Sequence, residues 1–441
     1  MTNSTRREFL QQSAGGVSLA AGLAALGSVH TFGAEKPAKL ALGIIGCGGM
    51  MTGHVTRLVT RKDEVEIAWL CDVDQSQIDK MTAIVDGTQS APPKRTTRYE
   101  DVIEDKRVDA CIIATPHHWH APIALRAMHS GKDVYIEKPI SHVFAEGPVI
   151  IAAAKKYGRV VQQGSQMRSS PVTLQAEKLL KSGIIGEIKV ARAWTAETRE
   201  EIPAVPDSAT PQGVDYDRWL GPAPEHAFNQ LRFHEHWRLY RDYGNGEIGD
   251  DGIHDLDMAT WGLGVDTLPK QITARGGRMM LPNHYSEYPD NMNVAFEYPD
   301  GRLLIYENYP FTAYGLHGYD NGNVFYGTEG YMIFSRRGSF SVFLGPKGKP
   351  GPTEDKAIRT QRGYPEHMTD FLTAVRNRTA TRANPEVAHR SCALVHLGNI
   401  AYLCGGQVNF DPKTERFVGN ESANHLLNKE YREPYGLPNV V

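Results

Sequence analysis

The 441-residue chain is poor in several things that would narrow its function. It has five cysteines, and Cys47, Cys71 and Cys111 sit in or beside apolar runs of strand length. They read as small core residues, which excludes a disulfide framework or a thiolate metal cluster. Net charge is −3 with no long basic block, so nothing favours nucleic acid or an anionic membrane surface. The mild apolar stretch Gly15 to Leu26 is too short and glycine-rich for a comfortable transmembrane helix. No internal repeat is present. Two histidine clusters occur, Pro116-His117-His118-Trp119-His120 and His234-Glu235-His236-Trp237-Arg238. Neither comes with a matching cysteine or a His-Glu-x-x-His spacing, so no metal is expected.

What is present begins with the N-terminus. Thr5-Arg6-Arg7-Glu8-Phe9-Leu10 followed by weak hydrophobicity resembles a twin-arginine signal, so residues 1–34 are set apart from the fold. The expectation is export through the twin-arginine machinery to the periplasm. The small-residue cleavage site near Ala34 is poorly formed, and an uncleaved signal would leave the protein membrane-tethered. Substrates of that route cross already folded, which suits a redox protein that keeps a tightly held nucleotide.

Leu40 to Asp72 carries the strongest pattern. An apolar run breaks into Gly46-Cys47-Gly48-Gly49-Met50-Met51, and a second run, Val65 to Leu70, leads to the acid Asp72. This is the front of a dinucleotide-binding βαβ unit. Gly46 allows a tight turn, Gly48 lets backbone approach a pyrophosphate at a helix N-terminus, and Asp72 is placed to bind a ribose hydroxyl. An acid there repels a 2′-phosphate, so NAD(H) is expected rather than NADP(H). Met51 stands where a third glycine is usual, which is expected to displace the first helix slightly.

Strand and helix patterns alternate up to about residue 163. Strands are expected at Leu40–Ile45, Glu66–Cys71, Ala110–Ala114, Asp133–Ile136 and Arg159–Gln162, with helices such as Pro122–Ser130 and Phe144–Tyr157 between them. The fold class is α/β: a doubly wound parallel Rossmann sheet over 35–163, then an α+β domain with a mostly antiparallel open sheet over 164–409, then a surface tail over 410–441. Asp207–Gln230 reads as an irregular connection packed over the site, and Gly345–Asp355 as an exposed loop.

Ligands of such a sheet lie at the C-terminal ends of its strands. Three segments fall there: the glycine turn, Thr115-Pro116-His117-His118-Trp119-His120, and Glu137-Lys138-Pro139. From them Thr115, Pro116, His117, His120, Glu137 and Lys138 join Gly46, Cys47, Gly48, Gly49, Met50, Met51 and Asp72 as expected cofactor contacts. Lys138 precedes a proline and so is presented from extended backbone, where it can bond a substrate hydroxyl or share in proton transfer. Residues 250–262 read as a helix with Asp250, His254, Asp257 and Trp261 near one face. Asp250 could then fix the tautomer of His254, a base suited to neutral pH, or it could simply cap the helix above a core histidine.

Gly46-Cys47-Gly48, Glu137-Lys138-Pro139 and Asp250-x-x-x-His254, in this order, resemble the Gfo/Idh/MocA oxidoreductases. The resemblance covers nearly the whole chain after the signal. It implies Lys138 as the active-site lysine, His254 as the proton-transfer histidine and Asp250 as its paired acid. It also implies homo-oligomers formed through the C-terminal sheet. His118, Trp119, Gln166, Arg168, Trp237 and Arg238 are expected to contact substrate, and Gln163 to face the same cleft. The function expected is NAD(H)-dependent hydride transfer at a hydroxyl carbon of a sugar, glycoside or polyol. Two alternatives stand beside it: a glycoside-cleaving enzyme that oxidises and re-reduces its substrate on bound NAD, and a non-catalytic sugar-binding protein.

Overall fold

The computed structural model describes residues 39–309, 312, 314–354 and 363–439. The twin-arginine pattern, residues 1–34, lies outside them.

The first sheet contains β1 (Leu40–Ile45), β2 (Val65–Cys71), β3 (Lys94–Thr96), β4 (Ala110–Ile113), β5 (Asp133–Ile136) and β6 (Val161–Gln163). Their order is β3-β2-β1-β4-β5-β6 and every pairing is parallel. This is the doubly wound order with its switch point between β1 and β4. β1, β4 and β5 are buried along their whole length, because helices cover both faces of a parallel sheet. That is why they read as unbroken apolar runs. Met51, Val55 and Leu58 of helix Gly49–Leu58 pack on them with Leu42, Ile44 and Leu70.

The second sheet has ten strands. They are β7 (Ile188–Thr195), β8 (Gln271–Gly277), β9 (Asn291–Glu297), β10 (Leu303–Asn308), β11 (Asn321–Gly327), β12 (Gly330–Ser335), β13 (Ser339–Leu344), β14 (Lys349–Glu354), β15 (Gln407–Asp411) and β16 (Arg416–Phe417). The order is β14-β13-β12-β11-β7-β10-β9-β8-β15-β16, antiparallel except where β10 meets β7. One face is covered by helices Ile253–Leu263 and Pro385–Leu403, both largely buried.

Several sequence expectations need correction. The expected loop Gly345–Asp355 holds β14, an edge strand whose Pro350 and Pro352 are tolerated because one side of it is unpaired. Helix His117–His129 begins five residues before the expected Pro122, which therefore lies inside it. The helix expected from residue 250 starts at Ile253, after a wider π-type turn over Ile248–Gly252. The tail from Phe410 does more than cover surface, since its Phe410 and Asp411 pair with β16 (Arg416–Phe417), the last strand of the second sheet.

Candidate active site

The glycine turn is built as the dinucleotide reading requires. Gly46 has φ +84°, and a Cβ there would sit 2.7 Å from the Ala114 carbonyl oxygen. Only glycine fits. Gly48 caps helix Gly49–Leu58 with no side-chain bond, and the first turn holds no acid. Its N–H groups and the positive end of the helix dipole thus remain for an anion. A Cβ on Gly48 or Gly49 would meet nothing within 4 Å, so both face open space. Asp72 braces the turn from behind: its Oδ2 accepts the Cys47 N–H at 2.6 Å and its Oδ1 the Asp74 N–H at 2.9 Å. Burial raises the Asp72 pKa, and these two N–H groups oppose the rise.

The hollow above this turn is lined by Gly46, Gly48, Gly49, Met50, Asp72, Thr115 and Pro116, all expected cofactor contacts. Cys47 and Met51 are not among its walls. The Cys47 thiol turns back to the Cys71 carbonyl, and Met51 is fully buried against the sheet. Trp119, expected on the substrate side, lines this hollow instead.

A second hollow, of about 260 Å³, shares Met50, Ala114, Thr115, Trp237 and Arg238 with the first. It brings together Lys138, His254, Asp250, Glu137, His117 and Gln166, so the lysine and histidine do meet beside the glycine turn. Lys138 follows β5, and its bond to Pro139 is cis. Its Nζ donates to the Asp250 backbone oxygen at 2.5 Å and to Asp250 Oδ1 at 2.7 Å. Arg238 Nε donates to the same Oδ1 at 2.9 Å. Burial pushes the Asp250 pKa up, but the two cations overcome this and hold it well below the usual carboxylate range.

Asp250 is therefore not the partner of His254. The π-type turn widens the spacing that would have stacked them, and Asp250 turns to Lys138 and Arg238. No hydrogen bond to either His254 ring nitrogen forms among the described residues. Desolvation, then the Lys138 and Arg336 charges, lower the His254 pKa to about 3, so the imidazole is neutral and able to take a proton.

Other expectations separate cleanly. Glu137 accepts from His54 Nε2 at 2.7 Å beneath the second hollow. His117 lines that hollow, tied to Asn245 Oδ1 at 3.0 Å. His118 is wholly buried and bonded to the Trp219 carbonyl, and His120 lies between the Pro139 and Thr115 carbonyls at 2.7 and 2.8 Å. Neither lines either of these two hollows; they fix the strand-end loops. Arg168 forms an ion pair with Asp257 at 2.7 Å and also stays out. Gln163 is buried, its side chain accepting the Ile140 N–H and donating to Ser165. Trp237 and Arg238 line both hollows, but the Arg238 guanidinium covers the indole face at 4.4 Å and His117 stands edge-on to it at 4.6 Å. That leaves little indole face for a sugar ring.

Sequence reasoning missed Asp251, Arg336, Arg337 and Tyr364 in the second hollow, and Tyr99, Arg218, Trp219 and His234 in the first. Arg336 and Arg337 follow β12 in no recognisable motif. Only the tertiary fold brings them to Asp251, which accepts from Arg336 at 3.0 Å. Among the described residues no group of side chains is arranged to hold a metal, and no helix is long and apolar enough to cross a membrane.

A doubly wound sheet, an uncapped helix behind a glycine turn and an adjoining lysine–histidine hollow define an NAD-binding oxidoreductase acting on CH–OH groups. The chain belongs to the Gfo/Idh/MocA family. Residues 40–165 match its NAD-binding Rossmann domain, and 175–328 with 344–437 match its C-terminal α/β domain. An inositol 2-dehydrogenase of Saccharopolyspora erythraea is 25% identical over 76% of this chain and 84% of its own. The solved levoglucosan dehydrogenase in complex with NADH and levoglucosan superposes with TM-score 0.67 at 18% identity, over 85% of this chain and 100% of that one. Aldose-aldose oxidoreductase from Caulobacter crescentus, complexed with glycerol, gives 0.65 at 19%, over 84% and 100%.

Proposed function

We propose that the protein is an exported NAD(H)-dependent oxidoreductase that acts at a hydroxyl carbon of a sugar, glycoside or polyol. The observation that carries this is the shared hollow of Lys138 and His254 beside the glycine turn. NAD(H) supplies the hydride acceptor or donor. The first-turn N–H groups of helix Gly49–Leu58 would hold its phosphates, and Asp72, in the wall of the first hollow, would meet its ribose. His254, neutral and without a hydrogen-bond partner among the described residues, takes the hydroxyl proton. Lys138 donates to the same oxygen as negative charge grows there. Asp250 keeps Lys138 aimed, and Gln166, Arg238, Arg336 and Arg337 offer donors for the remaining hydroxyls.

Export rests on the twin arginines Arg6 and Arg7 with the weak apolar stretch behind them. Fractionation of cells carrying an Arg6→Lys/Arg7→Lys variant tests it: periplasmic protein should be lost. Homo-oligomers would form through the outer face of the second sheet, where Val190, Ile305 and Ile333 are only half-buried and Tyr331 stacks on Phe343. Sedimentation of the wild type against an Ile305→Glu variant tests that.

Function is tested by adding a panel of sugars, glycosides and polyols to NAD⁺-loaded protein and following NADH absorbance. A response to a hydroxyl substrate supports the reading. Release of free sugar from a glycoside with no accumulation of NADH would assign the oxidation–elimination–reduction route instead.

A further inference from the structure

The hollow of Lys138 and His254 adjoins a larger chamber, of about 500 Å³, that the reaction described above does not use. The two spaces meet at the Arg238–Asp250 pair, which lines both. That pair is no sealed partition. Its side chains stay 35% and 24% exposed, so one ligand can lie across it.

Three irregular segments wall the chamber: residues 199–203 after β7, residues 235–239, and His284 from the loop between β8 and β9. They are tied together and to the reaction site. Arg199 Nη2 donates to Glu247 at 3.1 Å and to Asp251, beside Asp250, at 2.8 Å. The Tyr285 N–H donates to the Ile202 carbonyl at 2.7 Å, and the Asn283 N–H to Glu201 Oε1 at 2.7 Å. Asp290 Oδ2 accepts the N–H groups of Met279, Met280 and Leu281, each at 2.9 Å, which fixes the loop that carries His284. The chamber is therefore a held shape rather than a gap between loose loops.

Its walls leave donors and acceptors over. His284 Nδ1 accepts the Ile202 N–H at 3.1 Å, so the ring proton sits on Nε2. Burial lowers the His284 pKa, which keeps the ring neutral. Among the described residues neither His284 Nε2, the His236 ring nor the Glu235 carboxylate has a hydrogen-bond partner. Beside them Ile202, Pro203 and Leu239 supply apolar surface. Free donors and acceptors next to an apolar strip suit a sugar ring, which is polar at its hydroxyl edge and apolar on its C–H faces. The volume lies within the range of about 300–1,000 Å³ usual for small-molecule sites. Charge narrows the ligand further. Five carboxylates line the chamber against two guanidinium groups, and both of those are already paired. The acids stay in excess even without Glu247, whose pKa burial raises to about 7. An anionic ligand is repelled here.

We propose that this chamber is a second sugar subsite: the substrate is a glycoside of at least two units, one oxidised at Lys138 and His254 while its uncharged neighbour lies across Arg238 between His236, His284 and Glu235. The inference rests on the oxidoreductase reading given above and names the substrate class of that same site. It accounts for a chamber larger than the reaction hollow itself, which a single small polyol would leave to water.

The test is kcat/KM of NAD⁺-loaded, full-length protein for trehalose, cellobiose, maltose and lactose beside glucose and galactose. Turnover is followed both as NADH and as released free sugar, so either chemical route is seen. At least one disaccharide should exceed its component monosaccharides by roughly tenfold or more, as several added hydrogen bonds imply. A 6-phosphate on the unoxidised ring of that disaccharide should lower kcat/KM by roughly tenfold or more. His284→Ala, folded by circular dichroism, should shrink the disaccharide-to-monosaccharide ratio roughly two- to tenfold. His236→Gln, a gentler change should the first variant fail to fold, should shrink it in the same direction. Equal kcat/KM for disaccharides and monosaccharides, a ratio unmoved in the folded variants, or full activity on the phosphorylated disaccharide overturns the subsite and leaves the oxidoreductase reading standing. No turnover of any sugar by NAD⁺-loaded protein overturns both.

Discussion

Lys138 closes on Asp250 twice, at the backbone carbonyl and at carboxylate Oδ1, and the second of these oxygens is shared with Arg238. The acid therefore serves the lysine rather than the histidine four residues on. Its effect on the reaction passes through the aim of the ammonium group.

Asp250→Asn keeps the shape but removes the charge that holds Lys138. Losing a charged hydrogen bond of about 1.5–3 kcal/mol should lower turnover at saturating substrate by roughly ten- to a hundredfold. NAD⁺ affinity, measured by fluorescence titration, should stay unchanged, because Asp250 does not line the dinucleotide hollow. Asp250→Glu should recover part of the loss. An equal fall in NAD⁺ affinity would show a merely structural role.

His254 has its pKa lowered to about 3 by burial and by Lys138 and Arg336, so its neutral form persists well below pH 6. The acid limb of kcat/KM attributable to this base should lie far below the 6.5 of an ordinary histidine. Removing the Arg336 charge with Arg336→Met should move that limb upward. The sign for stability is the same for any histidine held neutral. Below about 6.5 the unfolded chain takes up the proton while the folded one does not, so this group's contribution to stability falls from there down to about 3.

Asp255 sits fully buried beneath the second hollow, 3.4 Å from Arg336, and burial raises its pKa to about 8. Between the ordinary carboxylate value of 3.8 and about 8 the folded protein binds this proton and the unfolded one does not. Stability from this group therefore falls as pH rises through that window. Thermal melts should show Asp255→Asn gaining on wild type between pH 5 and pH 8. An unchanged difference across that range would contradict the assignment.

The parts of the fold that were legible in sequence are those fixed by short-range pattern. β1, β4 and β5 are buried on both faces and so are plain apolar runs, and the turn at Gly46 declares itself because no other residue fits. Lys138 and His254 could be named from their local motifs, and the structure brings them together. The losses are equally physical. β3 (Lys-Arg-Thr) and β14 (Lys-Pro-Gly-Pro-Thr-Glu) are edge strands with little apolar face to read. Reading Asp250 with His254 assumed α-helical spacing, which the π-type turn breaks. Arg336, Arg218 and His234 reach their hollows through pairings 85, 118 and 160 residues away in sequence, and no local periodicity encodes those.

The central claim is that Lys138 and His254 act together at one hydride-transfer site beside the glycine turn. It is tested most directly by single-turnover formation of NADH in NAD⁺-loaded Lys138→Ala and His254→Ala proteins, with a responding sugar or polyol in excess. Both variants should keep their dinucleotide and react roughly 10²- to 10⁴-fold more slowly than wild type. Near-wild-type rates in both, with dinucleotide still bound, would contradict the account.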